Sequence, residues 1–107
     1  MVNDWPKYDE SDLENFITHL QTQLKEGDQI VRVKIENSSS KERGIAIEPW
    51  GSGDGFPPGA VYEIVTAGNH KTPVLHIDVK DNMIFVYATS YYDATIFHKG
   101  VATEAHS

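Results

Sequence analysis

LHIDVKDNMIFVYA, residues 75–88, specifies a strand pairing within fourteen residues. Two β-rich runs flank Asp81-Asn82, and both of these residues tolerate left-handed backbone geometry, as the centre of a two-residue hairpin requires. A hairpin with this turn fixes a register. Val79 then lies opposite Ile84, Ile77 opposite Val86 and Leu75 opposite Ala88 on one face, which is read as the core face. On the other face Lys80 meets Met83, Asp78 meets Phe85 and His76 meets Tyr87. This second face is half apolar and half ionisable, so a cover over part of it is expected.

On either side of the hairpin the same period of two recurs. Val31, Val33 and Ile35 alternate with Arg32, Lys34 and Glu36, as in a half-buried strand. Ile45 and Ile47 begin a short strand ending at Pro49, and further candidate strands fall at 60–67, 73–80, 83–89 and 93–99. Six short strands at close spacing predict a mainly β fold, a six-stranded antiparallel β-sandwich or small barrel occupying residues 29–99. One helix precedes it. Ser11-Asp12-Leu13-Glu14 has the spacing of a capping box, and Leu13, Phe16, Ile17, Leu20 and Leu24 recur at helical spacing before Gly27, which predicts an amphipathic helix over 12–26. Residues 1–10, with Trp5 and Tyr8, read as an arm and 100–107 as a tail. Within the sandwich the helix is expected to cover the Phe85/Tyr87 face, the competing reading being that this face meets another chain.

The 107 residues amount to one domain with a single core. There is no cysteine, which excludes disulfides, thiolate metal sites and cysteine nucleophiles. With 16 acidic and 9 basic residues the formal charge is −7, and the basic residues are scattered. That pattern lacks the basic footprint of a nucleic-acid or anionic-membrane binder. No targeting or membrane-spanning pattern is read, so a cytoplasmic protein is expected.

GSGDGFPPG, residues 51–59, does not continue into a helix and has no following Lys-Ser or Lys-Thr, so it does not read as a phosphate loop. With Asp54 as its one carboxylate it does not read as a calcium loop either. A sheet-to-sheet connection, with Pro58-Gly59 in a turn, fits it better. Glu48-Pro49-Trp50-Gly51 followed by Pro57-Pro58-Gly59, within residues 44–66, resembles a pattern in a group of small uncharacterised bacterial proteins. The resemblance implies no activity and no functional residue.

Two constellations are candidates for function. His76 and Asp78 project from the same side of a strand and, with His98 or His70 as a third ligand, would hold a divalent metal as in a cupin-like enzyme. A solvated strand face explains the same pair without a metal. The second constellation is aromatic: Trp50, Phe85, Tyr87, Tyr91 and Tyr92 suit an interaction surface, because such side chains combine apolar area with polar tips. Catalytic residues are not assigned. Gly51-Ser52-Gly53 lacks the spacing of a nucleophile elbow. The readings that result are a small acidic non-catalytic binding or protein-interaction module, with a homodimer or a protein partner. The alternatives are the metal enzyme and an immunity or inhibitor protein for a basic partner.

Overall fold

The structure is a computed structural model that describes residues 9–106. Trp5, Tyr8 and most of the expected arm lie outside the described residues. The elements are α1 (Asp12–Gln21), β1 (Asp28–Glu36), β2 (Arg43–Glu48), β3 (Ser52–Phe56), β4 (Val61–Asn69), β5 (Leu75–Val79), β6 (Met83–Ala88), β7 (Thr95–His98) and β8 (Val101–His106). They form two four-stranded sheets, ordered β1-β4-β7-β8 and β3-β2-β6-β5.

The β5–β6 hairpin has the register expected from Asp81-Asn82, and the Lys80 amide donates to the Met83 carbonyl at 2.8 Å. Most of its core face packs as read: Ile84, Val86 and Ala88, with Leu75 and Ile77, join Ile45, Ile47, Phe56, Tyr62, Ile64 and Ile96 between the two sheets, whereas Val79, read as core, lies at the open end of the edge strand and is exposed. Burying these apolar side chains away from water is the main drive holding the sheets together.

Among the described residues eight strands form where six were expected. β3 arises from the glycine-rich stretch, which pairs back on β2 through the turn at Pro49-Trp50, and the crossing to the other sheet is confined to residues 57–60. The supposed tail is β8, folded back on β7 through Lys99-Gly100, both at positive φ. Neither strand carries the run of bulky β-formers that marks the others, so composition hid them. The sheets are not purely antiparallel, because β2 and β6 run parallel. Nor do they close into a barrel. At the β3/β8 corner side chains stand in for a ladder: the Ser52 hydroxyl bonds the His106 backbone, and the Asp54 carboxylate accepts the Glu104 amide at 3.0 Å.

The helix is shorter than 12–26. The Gln23 amide turns to the Leu20 carbonyl, and the Thr22 hydroxyl donates to the His19 carbonyl, ending the helical ladder. Leu24 still reaches the apolar cluster from the connector. The capping box does not form, since Ser11 makes no side-chain cap. Asp9 accepts the Ser11 amide and hydroxyl, while buried Asp12 accepts the Asp9 amide at 3.2 Å and the Ala102 amide at 2.9 Å. The helix start is thereby tied to β8 as well as to its own first turn.

The helix lies on the outer face of the β1-β4-β7-β8 sheet, where Phe16 and Leu20 pack with Val65, Ala67, Tyr92, Phe97 and Ala102. It does not cover the Phe85/Tyr87 face. The six residues between α1 and β1 are too few to carry the helix around to the far sheet, so it folds onto the sheet that β1 itself enters.

Candidate interaction surface

Alternation along β6 sends Ile84 and Val86 inward, leaving Met83, Phe85 and Tyr87 on the outer face of their sheet. Neighbouring strands complete that face. Pairing places Ala46 beside Phe85, Gly44 beside Met83 and Glu48 beside Tyr87, while β3 adds Gly53 and Gly55 next to Ala46 and Gly44. On the other flank His76 lies beside Tyr87 and Asp78 beside Phe85. The result is a floor of glycine and alanine carrying Met83, Phe85 and Tyr87, edged by Glu48, His76, Asp78 and Lys80.

Contacts across this face are few and polar at the margin. The His76 and Tyr87 rings meet edge to face with centroids 5.6 Å apart, and Lys80 Nζ lies 3.4 Å from the Asp78 carboxylate. Tyr87 is 39% exposed, whereas Ala46, beside Phe85, is buried. The Met83 side chain lies across Gly44, where an added Cβ would sit 2.4 Å from its sulfur. Gly44 is therefore required for Met83 to lie flat. The hairpin register already put Met83 on this face, but Ala46 and the glycines beside it were not placed there from the sequence. The signal that would have found them is the β2–β6 pairing, a contact across more than 35 positions that periodicity does not encode.

The proposed metal set is not brought together. His76 and Asp78 point outward from one sheet, while His98 belongs to the other, with its ring 5.0 Å from that of Tyr62. His70 stands in the turn after β4. Among the described residues no three histidine, aspartate or glutamate side chains converge on a metal-sized space. Tyr62 itself is a structural group: its hydroxyl donates to the Gly55 carbonyl at 2.8 Å, and burial, followed by the charges of Asp54 and Glu42, raises its pKa above the ordinary phenol value.

Comparison with family models, curated proteins and solved structures gives no match. The geometry is therefore the sole basis for a functional reading.

The remaining aromatics divide. Tyr92 is buried under the helix, so it is a core residue rather than a contact residue. Its hydroxyl donates to the Asp28 carboxylate and accepts the Lys25 amide at 3.1 Å and the Tyr91 hydroxyl at 3.0 Å. Burial first, then the bond to Asp28, pushes its pKa well above the ordinary phenol range. Tyr91 stacks on it at 4.3 Å, is 67% exposed, and carries Lys25 Nζ 5.0 Å from its ring centre. Trp50, in the β2–β3 turn, is 43% exposed. No helix among the described residues is long and apolar enough to cross a membrane.

Proposed function

We propose that the protein is a non-catalytic binding module that engages a protein partner through the outer face of the β3-β2-β6-β5 sheet. The observation that carries this reading is the one-sided placement of the helix. It covers one sheet's outer face and leaves Phe85 and Tyr87 on the other. A flat floor of small residues lets a partner backbone approach closely, and aromatic side chains above it supply apolar contact area. The charged margin of Glu48, His76, Asp78 and Lys80 matches the polar rim that surrounds the apolar centre of protein interfaces.

The test compares the immobilised wild-type protein with the double variant Phe85→Ala/Tyr87→Ala in capture from a lysate of the source cells, after circular dichroism has shown that both are folded. A protein retained in near-stoichiometric amount by the wild type and lost from the variant supports the reading. Equal retention by both would place the contact elsewhere.

A further inference from the structure

Of the four sheet edges among the described residues, three are protected. β3 and β8 engage each other through Ser52 and Asp54, and β5 is only five residues long. β1 is different. It is nine residues long, pairs with β4 in unbroken register from Asp28 to Glu36, and contains neither proline nor bulge. Proline and bulges are two of the devices that blunt a free edge; of the others β1 carries only charged side chains, Arg32, Lys34 and Glu36.

The register also shows which backbone groups are outward. The Asn37 amide donates to the Ala60 carbonyl at 3.0 Å, one step beyond the Glu36–Val61 pair. Odd-numbered residues of β1 therefore direct their backbone groups at β4, and Ile30, Arg32, Lys34 and Glu36 direct theirs away from the sheet. No other strand of the described residues pairs with β1 on that side.

We propose that two copies of the chain join along this edge, antiparallel about a two-fold axis at Lys34, to make one eight-stranded sheet. A two-fold axis normal to the sheet keeps each side chain on its own face, so even-numbered residues meet even-numbered ones. The register centred on Lys34 sets Arg32 opposite Glu36 of the partner subunit, twice, and brings the two copies of Lys34 opposite each other once, at the axis. Shifting the axis to Val33 would instead set Arg32 opposite Lys34 of the partner subunit twice, two like-charge pairs with no Arg32–Glu36 pair to offset them, so the alignment at Lys34 is favoured. Each Lys34 has its own Glu63 beside it in the β1–β4 ladder, and Arg32 Nη2 lies 3.1 Å from Glu63. The formal charges of Arg32, Lys34, Glu36 and Glu63 cancel, so the edge is locally neutral on a chain of net charge −7.

The core side of the strand fits the same partner. Val33 and Ile35 are only half-buried and would meet Ile35 and Val33 of the partner subunit. Ile35 also lines the mouth between the two sheets, a cavity of about 260 Å³ shared with Val79, which is 60% exposed. A second β1 laid along the edge would narrow this mouth from the open side.

The test is native mass spectrometry together with light scattering on the full chain at about 100 μM and after dilution to about 1 μM, since a reversible dimer follows mass action. A dimer that dissociates on dilution is expected. Lys34→Pro removes an outward amide and no ladder bond, so it should keep the circular dichroism spectrum and weaken the dimer at least about tenfold; Glu36→Arg should weaken it as well. Amide exchange at Arg32, Lys34 and Glu36 should slow as concentration rises, a readout that does not depend on Lys34→Pro folding. A chain monomeric at the higher concentration, a dimer unaffected by Lys34→Pro, or protection of these amides in the monomer overturns the proposal. The last result would mean that the edge is occupied within one chain.

Discussion

Two strands of this molecule have nearly the same apolar pattern and different fates. β4, Val61–Asn69, and β6, Met83–Ala88, both run almost continuously apolar through their centres. β4 is buried on both faces, because Tyr62 and Ile64 enter the core between the sheets while Val65 and Ala67 receive the helix. β6 is buried on one face only, and Phe85 and Tyr87 remain on the other. A continuous apolar run therefore marks a strand that can be covered twice, and chain connectivity decides which strand is. The short link from α1 to β1 assigns the helix to β4.

This contrast is broken most sharply at the helix. Phe16 is fully buried, with its ring centroid 5.6 Å from that of Phe97. Phe16→Ala should cost about 3–5 kcal/mol, the cost of deleting a buried aromatic side chain and leaving a cavity. Against a total stability of about 5–15 kcal/mol for a domain, that is enough to unfold a sizeable fraction of the protein. Urea denaturation of the variant measures it. A cost near zero would mean that the helix does not hold the position described.

Much of the fold was legible because it is local. The Asp81-Asn82 hairpin and its register, the helix start near Asp12 and the alternation of β1 all follow from neighbours in sequence. The parallel β2–β6 pair, the return of β8 and the seam of Ser52 and Asp54 were not, since each joins residues far apart by bonds that leave no period. The candidate site divides in the same way. Phe85, Tyr87, His76 and Asp78 share a face, as alternation and the hairpin require. His98 fell away because its strand belongs to the other sheet, and Tyr92 because the helix settled over it.

Asp12 offers the next largest effect. It is a buried carboxylate at the helix start that accepts the Ala102 amide from β8. Asp12→Ala removes that bond and leaves the amide unpaired, at a cost of about 2–3 kcal/mol for a charge-assisted bond. Thermal melts should show the loss. Asp12→Asn, which retains one acceptor oxygen, should recover part of it.

Tyr92, buried under the helix, makes stability depend on pH. Its folded pKa is raised, so above the ordinary phenol value of about 10 the folded state holds a proton that the unfolded state releases. The stability this represents is complete below about pH 10 and is lost as pH rises through the folded value. Tyr62 contributes with the same sign. Denaturation midpoints should fall above about pH 10, and Tyr92→Phe should flatten the fall. A slope unchanged by Tyr92→Phe would remove Tyr92 from its account.

The smallest effect belongs to the bare face, and its smallness is the point. Tyr87 is already 39% exposed, so Tyr87→Ala removes an edge contact with His76 and only the part of one ring that lies against the sheet. The expected change is about 1 kcal/mol, well below the cost of a core aromatic. Phe85→Ala, nearer the centre of the sheet, should cost more than Tyr87→Ala and far less than Phe16→Ala. The same urea denaturation series measures all three. If Phe85→Ala instead approached the cost of Phe16→Ala, the face would be covered in solution, and β4 and β6 would share one fate after all. A dependence of that cost on protein concentration would then assign the cover to a second molecule, because an intramolecular cover contributes equally at every concentration.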